Sequence, residues 1–242
     1  MYTSDGKEFN PLTKGSAFEA YLASLGYGAF PVVMGRHTHG KSLVWYGDSL
    51  GAYAGGDGRT GEGFLSQINR YLGMEIQNRA VAGANWTSTN AGDAPIKVQQ
   101  LLDEGVEHDA VLLAWGTNPD SNLGAVTDAP AKDGSMCAAM KWAVQSIRSA
   151  YPHTGVGIVI PPPGSGGGCS EEKANLMIEC CRSADMHVPY LDMWHEAYIV
   201  ADMGINDGSN GLGYQDVHLS AAGRDRYASA LMPFVERICP VI

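Results

Sequence analysis

Four short segments of this chain carry residue types that could act together on an acyl group. The first is Gly47-Asp48-Ser49-Leu50-Gly51, where small residues around a serine let the chain turn sharply and project the hydroxyl. It satisfies the G-x-S-x-G pattern of a nucleophile elbow, although the same string also makes a tight strand-to-helix turn with Ser49 as a helix cap. The second holds Gly83, where a backbone N–H can approach a ligand without a side chain in the way, or where a turn simply needs a glycine. In the third, Gly116-Thr117-Asn118-Pro119-Asp120, Asn118 either offers its amide N–H to a developing oxyanion or caps a turn ahead of proline. The fourth is Tyr214-Gln215-Asp216-Val217-His218-Leu219-Ser220, in which His218 precedes a good N-cap and so belongs to a loop rather than to the apolar face of a helix. Nucleophile, oxyanion donors and general base are the inventory that acyl transfer requires.

These segments need a scaffold that delivers them to one place. Short apolar strands are expected over Ser42–Tyr46, Glu75–Val81, Ala110–Trp115, Val156–Ile160 and Val188–Leu191. The third has almost no polar interruption, which suits a parallel strand covered on both faces. Phe64, Ile68 and Leu72 recur at helical spacing after Thr60, and further helices are expected over 96–102, 135–150, 171–184 and 221–238. The alternation predicts an α/β fold, a three-layer α/β/α sandwich around about five parallel strands. In such sheets ligands sit outside the carboxyl ends of the strands, which is where the four segments fall. Residues 1–40 read differently, with one short helix over 16–25, and are expected to be an N-terminal extension that packs on the domain or attaches it to another subunit or assembly; residues 41–242 form the domain.

The order GDSL (Gly47–Leu50), Gly83, GTN (Gly116–Asn118) and a late His218 followed by Leu-Ser resembles the SGNH/GDSL hydrolase superfamily, over roughly residues 41–239. The resemblance implies a flavodoxin-like fold and ester hydrolysis without a metal or other cofactor. By matching position it makes Ser49 the nucleophile, His218 the base, and the Ser49 N–H, Gly83 N–H and Asn118 side chain the oxyanion hole. The α/β-hydrolase fold shares the elbow but builds several strands and an oxyanion loop before its serine, and only 48 residues precede Ser49 here.

One block departs from the pattern. The family's aspartate three residues before the histidine is replaced by Gln215, with Asp216 standing two before. The acid normally accepts the His Nδ1–H bond and stabilises the imidazolium, and glutamine brings no charge to that task. Asp216 could serve through a register shift, Gln215 or a backbone carbonyl could orient a Ser–His dyad, Asp207 could supply the acid, or activity could be lost. Asp48 reads as structural, bonding loop backbone near the serine. His37 and His39 lack a third ligand at sensible spacing, and the glycine-rich 164–168 segment lacks the Lys-Ser/Thr of a phosphate loop.

The formal charge of −10 and the absence of a Lys/Arg cluster argue against nucleic acid or an anionic membrane as partner. With 17% charged and 45% hydrophobic residues, the chain can bury a core. No secretory signal and no membrane-length apolar run is apparent, so a soluble protein of open compartment is expected. The five cysteines show no C-x-x-C spacing and read as buried thiols, with one bridge left open. Polar, glycine-rich loops at the catalytic edge, with Trp86, Trp115, Tyr53 and Tyr214 nearby to stack on sugar rings or to pack in the core, favour a glycan or other acylated small molecule as substrate. The expected activity is carbohydrate O-acetylesterase; the alternatives are a general short-chain esterase or lysophospholipase-type hydrolase, and a non-catalytic carbohydrate-binding or attachment module.

Overall fold

A computed structural model describes residues 37–53, 63–87, 90–163, 169–196, 213–214, 218–219 and 221–241, with backbone alone at 213, 214, 218, 221 and 222. Strands β1 (Ser42–Gly47), β2 (Glu75–Asn78), β3 (Ala110–Ala114), β4 (Gly155–Ile160) and β5 (Tyr190–Asp192) form one all-parallel sheet in the order β2-β1-β3-β4-β5. That order is the flavodoxin-like one. The helices are α1 (Ser49–Ala52), α2 (Phe64–Leu72), α3 (Ala94–Glu104), α4 (Met136–Ala150), α5 (Glu171–Arg182) and α6 (Ala221–Ile238). A two-stranded antiparallel ladder, β6 (Gly213–Tyr214) with β7 (His218–Leu219), precedes α6.

Strand side chains alternate between two cores. Leu43, Trp45, Ala110, Leu112 and Val159 face α2 and α6, while Val44, Tyr46, Val111, Leu113, Ile158 and Ile160 face α3, α4 and α5. This is the expected α/β/α sandwich, and β1, β3 and β4 read as near-continuous apolar runs because both faces are covered.

Element boundaries move for local reasons. β2 stops at Asn78 rather than Val81, although Arg79 and Val81 N–H still bond to the Trp45 and Gly47 carbonyls (2.8 and 3.0 Å), so the chain follows β1 past the regular strand. α3 starts two residues before the expected Ile96, because Pro95 sits in its first turn, where a missing N–H costs nothing. α5 ends at Arg182, where the Ser183 hydroxyl donates to the Cys180 carbonyl at 2.6 Å. β5 covers Tyr190–Asp192 instead of Val188–Leu191. α2 is capped by Gly63; Thr60, the helix expected over 16–25 and the 164–168 loop lie outside the described residues. Residues 37–40, counted above with the extension, are fastened to the domain: Thr38 Oγ1 donates to Leu72 O at 3.0 Å, and Gly40 N–H to Gly73 O at 2.8 Å. No described helix is long and apolar enough to cross a membrane.

Candidate active site

From β1 the chain runs outward to β2 and then returns to the other side of β1 for β3. A crevice opens beyond the strand ends at such a reversal. Ser49, 7% exposed, opens α1 directly after β1, and Gly116-Thr117-Asn118 leave β3 beside it, since Gly47 and Ala114 are ladder partners. Asp48 binds the two turns together: Oδ1 accepts from Leu50 N–H at 3.1 Å and Oδ2 from Thr117 N–H at 3.0 Å. Burial pushes its carboxyl above the ordinary range, and those two donors oppose the shift. Its role is the structural one expected. The elbow's second glycine is required by contact, because a Cβ at Gly51 would collide with Trp45 Nε1.

The Asn118 loop is held from below. Asn118 Nδ2 donates to Ala84 O at 2.8 Å, so the amide's other hydrogen points away from Ala84. Lys173, in the first turn of α5, is 4% exposed; its Nζ donates to Asn118 O at 2.6 Å and pairs with Asp120 Oδ2 at 2.7 Å. Asp120 Oδ1 accepts from Thr87 N–H (2.8 Å) and Thr87 Oγ1 (2.9 Å). Fully buried Asp93 does the same for the neighbouring loop, accepting from Asn85 N–H and Asn90 N–H, both at 2.8 Å. Gly83, five residues past β2, is exposed at φ +82°, a conformation that favours glycine, with nothing within 4 Å of where a Cβ would be.

The two tryptophans do not serve as stacking platforms. Trp86 and Trp115 are both 0% exposed; Trp86 Nε1 donates to Trp115 O at 2.8 Å, and Trp115 Nε1 to Gly92 O at 3.2 Å. Their rings cement the loops after β2 and β3, and this corrects the expectation that they face a sugar. The backbone of Tyr214 pairs with that of His218, and β7 packs against α1 and α6. Gln215, Asp216 and Asp207 lie outside the described residues. His37 Nε2 contacts Glu236 O at 2.9 Å, His39 is exposed, and no group of described His, Cys, Asp or Glu could hold a metal ion.

Sequence reasoning missed Asp93, Lys173 and the bracing role of Asp120, which no motif marks. It also missed Asp192-Met193-Trp194-His195, the D-x-x-H spacing sought before His218. Asp192 Oδ2 lies 2.8 Å from His195 Nδ1, while Oδ1 accepts from Trp194 and His195 N–H, both at 3.0 Å. This pair ends β5, which β3 and β4 separate from β1, so it stands about 14 Å from the Ser49 strand at ~4.8 Å per strand. It is a local turn, not a partner for Ser49.

The family model described as GDSL-like lipase/acylhydrolase matches residues 45–226. Similar solved structures include a possible lipase from Chitinophaga pinensis, at 15% identity and TM-score 0.63, covering 81% of this chain and 98% of that one. A lipase/acylhydrolase from Enterococcus faecalis is 13% identical with TM-score 0.51, covering 84% and 98%. A family two carbohydrate esterase from Clostridium thermocellum, solved in complex with cellohexaose, is 18% identical with TM-score 0.55, covering 81% of this chain and 64% of that one. No curated protein sequence matches the chain.

Proposed function

The chain belongs to the GDSL-like lipase/acylhydrolase family, and from that premise we propose that it is a serine ester hydrolase removing short acyl groups, acetyl foremost, from a carbohydrate. Ser49 Oγ attacks the ester carbonyl while His218 takes its proton. The Ser49 N–H, the Gly83 N–H and the Asn118 amide receive the oxyanion. Collapse expels the alcohol, protonated by His218, and water then releases the acid from Ser49. Asp216, Asp207, Gln215 or a backbone carbonyl orients His218; with Gln215 or a carbonyl the machinery is a Ser–His dyad.

The observation that carries this reading is the packing of β7, which bears His218, against α1, which Ser49 opens, while Asp48 ties the same turn to the Asn118 loop. Support for a glycan comes from the largely exposed, polar 119–134 loop and from a fold shared with an esterase solved with cellohexaose. With Trp86 and Trp115 buried, Tyr53 and Tyr214 are the remaining aromatic candidates to meet a sugar. Of residues 1–40, those at 37–40 are fastened to the domain, and the remainder is proposed to contact another subunit or assembly.

The substrate reading is tested with p-nitrophenyl esters and an acetylated oligosaccharide. Acetyl is expected to be cleaved faster than octanoyl, with acetate released from the sugar. Octanoyl preference would replace the deacetylase reading with the general esterase or lysophospholipase-type one. Comparing Gln215→Asp with Asp216→Ala assigns the acid: unchanged turnover in Asp216→Ala removes Asp216 from the machinery.

A further inference from the structure

Two cysteines from different helices meet in the core that supports the Asn118 loop. Cys137, in the first turn of α4, and Cys180, near the end of α5, are both 0% exposed, and their sulfurs lie 2.8 Å apart with the Cys180 S–H directed at Cys137. Unbonded sulfurs do not ordinarily pack this closely. The other three thiols are placed differently: Cys169 Sγ contacts the Ser170 carbonyl at 3.5 Å, and Cys181 and Cys239 are buried without a sulfur neighbour in the described bonds.

We infer that Cys137 and Cys180 form a disulfide, made by exchange with a small disulfide oxidant such as oxidised glutathione. One protein thiolate attacks a glutathione sulfur and expels a glutathione thiolate, giving a mixed disulfide. The second protein thiolate attacks the protein sulfur of that intermediate and expels the other glutathione. Two electrons pass to glutathione, and the two thiol protons go to solvent or to the departing thiolates. Because both sulfurs are sealed from solvent, the bond closes before α4 docks on α5 and is afterwards shielded from reductants.

The bond has a structural consequence at the rim. It staples together the helices whose buried lysines pin the loop after β3. Lys173 holds Asn118 O, and Lys141 Nζ donates to Val126 O and Asp128 O at 2.5 and 2.9 Å. None of this depends on the ester-hydrolase reading.

The test refolds the full chain in a glutathione redox buffer and, separately, in dithiothreitol, then denatures each sample in N-ethylmaleimide for intact mass. The expected result is three alkylated cysteines of the five after oxidising refolding, with a proteolytic fragment joining Cys137 to Cys180, and five in dithiothreitol. The oxidised form is expected to melt on the order of 10 °C higher. In Cys137→Ser/Cys180→Ser, that difference disappears and three cysteines alkylate under both conditions. Five alkylated cysteines after oxidising refolding, or a fragment joining Cys137 to Cys181, would overturn the inference; the wild-type count decides even if the variant does not fold.

Discussion

On one face of the sheet, α2 and α6 close over Trp45, Phe64 and Tyr227, whose rings meet at centroid distances of 5.3 Å (Trp45–Phe64) and 4.6 Å (Phe64–Tyr227). On the other, α3, α4 and α5 enclose an apolar core that also admits Lys141 and Lys173, each 4% exposed or less, and four of the five cysteines. Buried ammonium groups are expensive unless paired and hydrogen-bonded, and both are: Lys141 with Asp185 at 2.7 Å, Lys173 with Asp120 at 2.7 Å, each also holding loop carbonyls. The second face therefore spends polar burial where a long loop must be held beside the serine. The first face also buries polar groups, with Arg224 donating to Leu219 O at 3.1 Å and Gln67 to Asp225 Oδ1 at 2.7 Å, but neither of these bonds reaches the loop after β3.

This contrast can be broken from either side. Lys173→Met leaves the Asp120 carboxylate buried and uncompensated, which is expected to cost about 3–5 kcal/mol of stability and to lower kcat. Lys173→Met/Asp120→Leu removes both charges, so the melting temperature recovers while kcat stays at least about tenfold down, because the Asn118 loop has lost its tether. Full recovery of kcat in the double variant would show that the ion pair serves folding alone. Phe64→Ala on the first face is expected to cost about 3–5 kcal/mol in stability through the cavity it leaves. Its kcat, measured well below the melting transition, should stay within about twofold of wild type.

A smaller effect sharpens the picture at the loop itself. The Ser135 hydroxyl (2.5 Å) and Ala125 N–H (3.1 Å) hold the Asp128 carboxyl below its ordinary range. A carboxyl depressed in the folded state stabilises above its unfolded value of about 3.9 and loses that contribution as pH falls through the folded value. Melting temperature followed below pH 5 should therefore fall less steeply in Asp128→Asn than in wild type. Equal slopes would remove Asp128 from the acid response.

The fold was legible because hydrophobic pattern alone separates doubly covered strands such as Ala110–Ala114 from the helices between them. So were the strand-end positions of Ser49, Gly83 and Asn118, since short motifs mark turns that only certain residues permit. The supporting polar groups were not. Asp120 and Lys173 act through partners distant in sequence, as with Lys173 and Asn118, 55 positions apart, and such partners leave no periodicity to read; Asp93 bonds N–H groups three and eight positions away, in a loop that no motif marks. The tryptophans misled for a related reason: an indole needs one hydrogen-bond partner when buried, and the carbonyls of Trp115 and Gly92 supply them, a fact of tertiary structure alone.

In the proposed mechanism Ser49 and His218 work on one substrate at the β1–β3 crevice. It is tested most directly by treating the folded protein with a fluorophosphonate probe and mapping the adduct. Stoichiometric labelling is expected at Ser49, abolished in Ser49→Ala and strongly slowed in His218→Ala. A folded wild-type protein that takes up no probe, or takes it up elsewhere, would contradict it and leave the non-catalytic carbohydrate module as the better description.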